Sequence, residues 1–186
     1  MKVKLPYGKE SLILDLPDDQ VQIIEPKELE KTSATSETLE NALEKPLAGS
    51  KLKDMVRNQK VCALVEDSTR SQPHRHQIEA SAKRLKGAKH IQYIITTGSH
   101  DPEAKGNLEI VGIIKESAKR YHLNHTILIH DCERPTVKVG TTTRGTKVEV
   151  DPELLKAEVF FVTANMKNHY FAGYCNAIKN FLPGCC

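Results

Sequence analysis

A doubly wound α/β layer is the fold the sequence predicts, and three observations point to it. Val61-Cys62-Ala63-Leu64-Val65, Ile91-Gln92-Tyr93-Ile94-Ile95 and Val159-Phe160-Phe161-Val162 are unbroken or nearly unbroken apolar runs of strand length. Amphipathic segments of helix length follow the first two. Glycine-flanked alternation over 137–150 adds a small hairpin. Strands buried on both faces and joined through helices form a mostly parallel sheet with crossover connections. The chain has 186 residues and 39% hydrophobic composition. That is enough to bury roughly 70% of the unfolded surface without a disulfide staple.

The elements follow in order. Val3, Leu5, Leu12 and Leu14 alternate weakly and predict short N-terminal strands, with turns at Tyr7-Gly8 and Pro17-Asp18-Asp19. Residues 26–35 are polar and read as a linker, so residues 1–35 form N-terminal strands and linker, and residues 36–186 the α/β domain. Ser36 caps a helix carrying Leu39, Ala42 and Leu43, which Pro46 and Gly49 end. Ser50 caps a short helix with Leu52, Met55 and Val56 facing inward. Pro73 opens a helix whose Ile78, Ala82 and Leu85 fall at i, i+4, i+7. From Pro102 to Tyr121, the residues Ala104, Leu108, Val111, Ile114 and Ala118 make one stripe. Thr126-Ile127-Leu128-Ile129 is a further strand. Val137/Val139 and Val148/Val150 alternate around Gly140 to Gly145 as the hairpin.

Composition narrows the function. Lys+Arg 27 against Asp+Glu 24 leaves a net charge of only +3, with no dense basic run, which disfavours nucleic acid as a partner. No stretch approaches the ~20 apolar residues of a membrane span. The start lacks a signal-peptide core, and five cysteines at irregular spacing read as reduced thiols. The expectation is a soluble, cytoplasmic protein. Two phosphate motifs are missing: Gly98 stands without a G-x-G-x-x-G partner set, and Gly140-Thr141-Thr142-Thr143-Arg144-Gly145-Thr146-Lys147 leads into a strand rather than a helix.

Ligands of such sheets bind beyond the carboxyl ends of the strands. The first apolar run leads into Glu66-Asp67-Ser68-Thr69-Arg70, the second into Thr96-Thr97-Gly98-Ser99-His100, and the last into Thr163-Ala164-Asn165-Met166-Lys167-Asn168-His169. If these strands are neighbours, Arg70, His100 and His169 converge on one rim. Taken singly, the Asp-Ser-Thr-Arg turn also suits local capping, and a histidine after a strand also suits the surface. His74, His76, His90, His122, His125 and His130 have no comparable setting, and His74-Arg75-His76 reads as solvent-facing. Lys179, among apolar neighbours, suits either a nucleophile or a solvated turn.

Four segments in register resemble the N-terminal domain of the lactate racemase family. They are Glu40-Asn41-Ala42-Leu43-Glu44-Lys45-Pro46-Leu47-Ala48-Gly49-Ser50; Asp67-Ser68-Thr69-Arg70; Thr97-Gly98-Ser99-His100 with Pro102; and His169-Tyr170-Phe171-Ala172-Gly173 with Lys179 and Leu182-Pro183-Gly184. The resemblance implies a Rossmann-like domain that racemises or epimerises a small anionic 2-hydroxy acid by hydride transfer to a nickel-pincer nucleotide. It implies His100 and His169 as the acid/base pair, Asp67, Ser68, Thr69 and Arg70 as cofactor-holding residues, Arg70 also on the substrate carboxylate, and Lys179 as the attachment point. Asn176-Ala177-Ile178 replaces the family's common Gly-Gly-Arg, Ser71 a common Pro and Asp101 a common Arg. No nickel-ligating residue is assigned; the family's nickel histidine and its second domain would follow Cys186. The expectation is therefore an N-terminal portion whose partner is a missing C-terminal domain. The alternative is a truncated, non-enzymatic domain that binds an anion or a nucleotide.

Overall fold

The computed structural model describes residues 1–25, 27, 36–169, 173–175 and 177–186, with His169 described for its backbone alone. The predicted linker and the segment Tyr170-Phe171-Ala172 fall almost wholly outside the described residues. The chain divides into two compact units, Met1–Ser33 and Ala34–Cys186.

In the first unit, β1 (Lys2–Tyr7) pairs antiparallel with β2 (Glu10–Asp15), Tyr7 standing opposite Glu10. A two-residue loop joins them, and Gly8 adopts φ 59, the left-handed conformation such a tight hairpin requires. The N-terminal ammonium donates to the Leu16 carbonyl and pairs with Asp18.

The second unit begins with α1 (Ser36–Glu44) and the single turn α2 (Leu52–Met55). It continues through β3 (Lys60–Glu66), α3 (His74–Arg84), β4 (His90–Thr96), α4 (Lys105–Tyr121) and β5 (His125–Ile129). A hairpin of β6 (Val137–Thr141) and β7 (Lys147–Val150) precedes β8 (Val159–Thr163), and β9 (Lys167–His169) pairs with β10 (Gly173–Cys175). The main sheet is fully parallel, in the order β5-β4-β3-β8. The chain thus steps outward from β3 to β5, then returns to lay β8 on the other side of β3. This is the doubly wound arrangement that the apolar runs predict.

Alternation along the strands builds a core on each face. Val61, Ala63 and Val65 pack with Ile91, Tyr93 and Ile95 against Ile78 and Leu85 of the α3 region and Ile110 and Ile114 of α4. Cys62, Leu64 and Ile94 pack on the opposite face against Leu154 and Cys185. Helices cover the first face; the 3-10 turn Pro152–Lys156 and the C-terminal turn contribute to covering the second.

Four helix expectations need correction. Ser36 lies inside α1 rather than before it, and Lys51 rather than Ser50 precedes α2, with no side-chain cap hydrogen bond. Met55 is exposed, leaving Leu52 and Val56 to turn inward. On α4, Leu108 is exposed, and the buried positions are Asn107, Ile110, Ile114, Ser117 and Ala118. Asn107 takes the place of an apolar residue because its amide is satisfied: Oδ1 accepts the Ser68 N–H at 3.0 Å, and Nδ2 donates to the carbonyls of Asp101 and Pro102.

Candidate functional site

The carboxyl ends of β3 and β4 open into a cleft of about 100 Å³. Glu66 at the end of β3 and Arg70 in the loop after it line the cleft, with Thr96 at the end of β4, Thr97 through His100 in the loop that follows, and Lys179, Asn180, Pro183 and Gly184 from the C-terminal turn. That turn, the 3-10 segment Ala177–Asn180, packs over β3 and β8, so it spans the position where strand order reverses. A glycine is required where it folds back: a Cβ on Gly184 would stand 2.6 Å from the Asn180 carbonyl oxygen. The Gly184 carbonyl in turn accepts the Gly98 N–H at 3.2 Å, joining the turn to the β4 loop.

Behind the cleft-lining His100 lies Asp67, 1% exposed. Its Oδ2 is 2.6 Å from Nδ1 of His100, and its Oδ1 accepts the Thr69 hydroxyl at 2.8 Å. A buried carboxylate against Nδ1 fixes the proton there and leaves Nε2 as the ring nitrogen available to a ligand. The His100 side chain is 38% exposed, so the pair is open to the cleft on its imidazole side.

The predicted residues thus sort clearly. Arg70, His100 and Lys179 line one cleft, and Asp67 and Thr69 reach it through their contacts with His100. Ser68 does not face it: its N–H is held by Asn107, and its side chain packs on Gly106, where a Cβ would lie 2.5 Å away. The backbone of His169 is in β9, and its side chain lies outside the described residues. The loop that leads to it is tied to the β3 end, because the Asn165 N–H donates to Glu66 Oε2 and the Asn165 amide to the Ser71 carbonyl. His74 departs from its solvent-facing expectation, since Nε2 lies 2.9 Å from the Glu66 carbonyl oxygen.

Two features escaped the sequence reading. Asn180 is nearly buried in the cleft wall, with Oδ1 accepting the Thr96 hydroxyl at 2.8 Å. His130, set aside above, is buried with Asp151; Nδ1 lies 3.1 Å from Oδ2, and each side chain is 1% exposed. Asp151 also caps the turn at Pro152–Lys156 by accepting the Glu153 N–H. On the same side of the sheet, burial, with smaller contributions from the nearby carboxylates Asp151 and Glu153, pushes the Cys62 thiol up to about 12. Burial raises the Cys185 thiol as well, so both behave as core thiols rather than ligands. Among the described residues, no group of three or more His, Cys, Asp or Glu could hold a metal ion, and no helix is long and apolar enough to cross a membrane.

Comparison with known proteins aligns with this geometry. Residues 7–186 match the family described as lactate racemase N-terminal domain. The lactate racemase of Thermoanaerobacterium thermosaccharolyticum is 26% identical over 98% of this chain and 44% of its own length. That of Lactiplantibacillus plantarum is 22% identical, with the same two coverages. The solved apoprotein of the Thermoanaerobacterium enzyme superposes over 100% of this chain and 44% of its own, with a TM-score of 0.67 at 24% identity. The chain therefore spans less than half the length of the curated relatives it matches.

Proposed function

Because the chain belongs to the lactate racemase N-terminal domain family, we propose that residues 36–186 are the N-terminal catalytic domain of a racemase or epimerase of a small anionic 2-hydroxy acid. The observation that carries this reading is the hydrogen-bonded set Asp67–His100–Thr69 beside Arg70 and Lys179 in one cleft. Inverting C2 of such an acid requires the carboxylate to be held and the hydroxyl proton to be moved. The planar Arg70 guanidinium suits the first task, since it pairs with a carboxylate through two parallel N–H bonds. His100 suits the second. With Nδ1–H given to Asp67, Nε2 accepts the hydroxyl proton, and the buried carboxylate stabilises the imidazolium that results. His169 is assigned as the second acid/base, acting on the opposite side of C2.

The cleft fits an anion. Arg70 and Lys179 supply charge, and about 100 Å³ suits a three-carbon acid or one phosphate group. A whole nucleotide would extend out of it, past the Asp67–Arg70 turn. Asp67, Thr69 and Arg70 would hold the nickel-pincer nucleotide, Ser68 acting through the backbone it anchors on Asn107, and Lys179 would carry the covalent bond. When bound, that group supplies the hydride acceptor for the C2 hydrogen, which none of these side chains provides. The described residues offer no cluster for the nickel itself, so the fit concerns the anionic part. The second half of the longer relatives is the partner we assign to this domain, and the cytoplasm its compartment.

The test is chiral chromatography of D-lactate incubated with the cofactor-loaded domain joined to its C-terminal partner, this chain alone being expected to be inactive, together with intact-mass analysis for an adduct on Lys179. L-lactate should form and should vanish in His100→Ala. Loaded protein that binds lactate without converting it would favour the alternative, an anion-binding domain without catalysis.

A further inference from the structure

We infer that the side-chain amide of Asn180 is a neutral hydrogen-bond donor to an oxyanion bound in the cleft. This rests on the anion-binding reading above and adds to it a contact and a residue. Asn180 is only 6% exposed, although it lines the cleft beside Lys179. Its backbone is pinned by Gly184, which approaches its carbonyl too closely to carry any side chain. Its Oδ1 is engaged by the Thr96 hydroxyl, whereas Nδ2 is buried with no hydrogen-bond partner.

The structure sets the amide oxygen against the Thr96 hydroxyl. That hydroxyl has a single proton and two acceptors in reach, the Val65 carbonyl at 3.2 Å and Asn180 Oδ1 at 2.8 Å. With Oδ1 on the shorter contact, Nδ2 is left over. Native structures contain few buried donors without a partner, and this one, unlike the equally unpartnered Tyr93 hydroxyl in the core, belongs to a residue that lines a cleft. Arg70 and Lys179 make that acceptor an anion. Glu66 is the acid lining the cleft, and its Oε2 is already taken by the Asn165 N–H. The oxyanion is either the carboxylate of a small acid or a phosphate group, and both accept from an amide N–H.

The experiment is a heteronuclear NMR titration of the ¹⁵N-labelled chain, with L-lactate in one arm and inorganic phosphate in the other. It follows the Asn180 side-chain NH₂ and, as an internal reference, the Arg70 Nε–H. Both signals should move together with one saturation curve, and the arm in which they do so names the source. In Asn180→Ala, the affinity read at Arg70 should fall about tenfold or more, as expected for a lost hydrogen bond to a charged group. Movement at Arg70 with Asn180 stationary, or unchanged affinity in Asn180→Ala, overturns this inference and leaves the cleft reading intact. No movement at either residue in either arm overturns both. Should Asn180→Ala not fold, the titration of the unaltered chain decides alone.

Discussion

The molecule holds two histidine–aspartate pairs built alike and placed differently. In both, a carboxylate 1% exposed engages Nδ1 of the ring, at 2.6 Å for Asp67–His100 and 3.1 Å for Asp151–His130. The first imidazole opens on a cleft with two cations; the second is sealed, and its Nε2 has no partner. The carboxylate sets the tautomer in each case, but only exposure lets the second nitrogen exchange a proton with a ligand. The His130 pair is instead a clasp. His130 accepts the Thr97 hydroxyl on its carbonyl, and Asp151 donates its N–H to the Cys185 carbonyl, so the pair braces two walls of the cleft from behind.

The contrast can be broken from either end. The largest effect expected is on turnover: His100→Ala should lower racemisation by the loaded protein about 10²–10⁴-fold, the usual worth of a positioned acid/base. Its melting temperature should change little, because water entering the cleft resolvates Asp67. His130→Ala should do the reverse, costing about 3 kcal/mol of stability in a denaturant titration, because buried Asp151 loses one of its partners while keeping the Glu153 N–H and Arg134. Equal stability losses in the two variants would erase the distinction. A smaller effect is expected from Gly184→Ala, about 1–3 kcal/mol from overpacking against Asn180, accompanied by weaker anion binding.

Cysteine reactivity tests the sealed side directly. With the Cys62 thiol pushed up to about 12, iodoacetamide at neutral pH should label exposed Cys132 and spare Cys62, as read by peptide mass mapping. The smallest effect concerns α1, which lies far from either pair in sequence. The Arg84 guanidinium, then Lys83, holds Glu40 below its ordinary 4.5, and Lys51 does the same for Glu44. Because the folded values are depressed, this contribution is present above pH 4.5 and is lost as pH falls through the lower folded values. The protection factors of the α1 amides, with the intrinsic pH dependence divided out, should therefore fall on acidification before those of β3.

What the sequence made legible was local. Unbroken runs such as Val61 to Val65 announced central strands because both of their faces are buried. The Asp67 turn and the Thr97–His100 loop could be placed together because strand ends share a rim. The misses are non-local or polar. Leu108 fits a helical stripe, yet α4 is rotated so that Asn107 is buried, since a satisfied amide can replace an apolar residue and hydrophobic periodicity does not register it. His130 and Asp151 stand 21 residues apart, on either side of a hairpin. Neither carries a local motif, so their pairing exists only once β5 and β7 are in place. Asn180 was overlooked next to Lys179 because an amide acquires meaning from what fails to pair with it.

The parallel register of β3 and β4 has one more consequence. Glu66 stands opposite Thr96, and Asp67 and His100 reach each other only because their strands end level. A slip of one residue would shift one partner by about 3.3 Å and turn alternate side chains to the opposite face. The carboxylate and the imidazole would then part. A misregistered chain would lose the Asp67–His100 hydrogen bond, so the presence of that contact is itself a readout of correct folding.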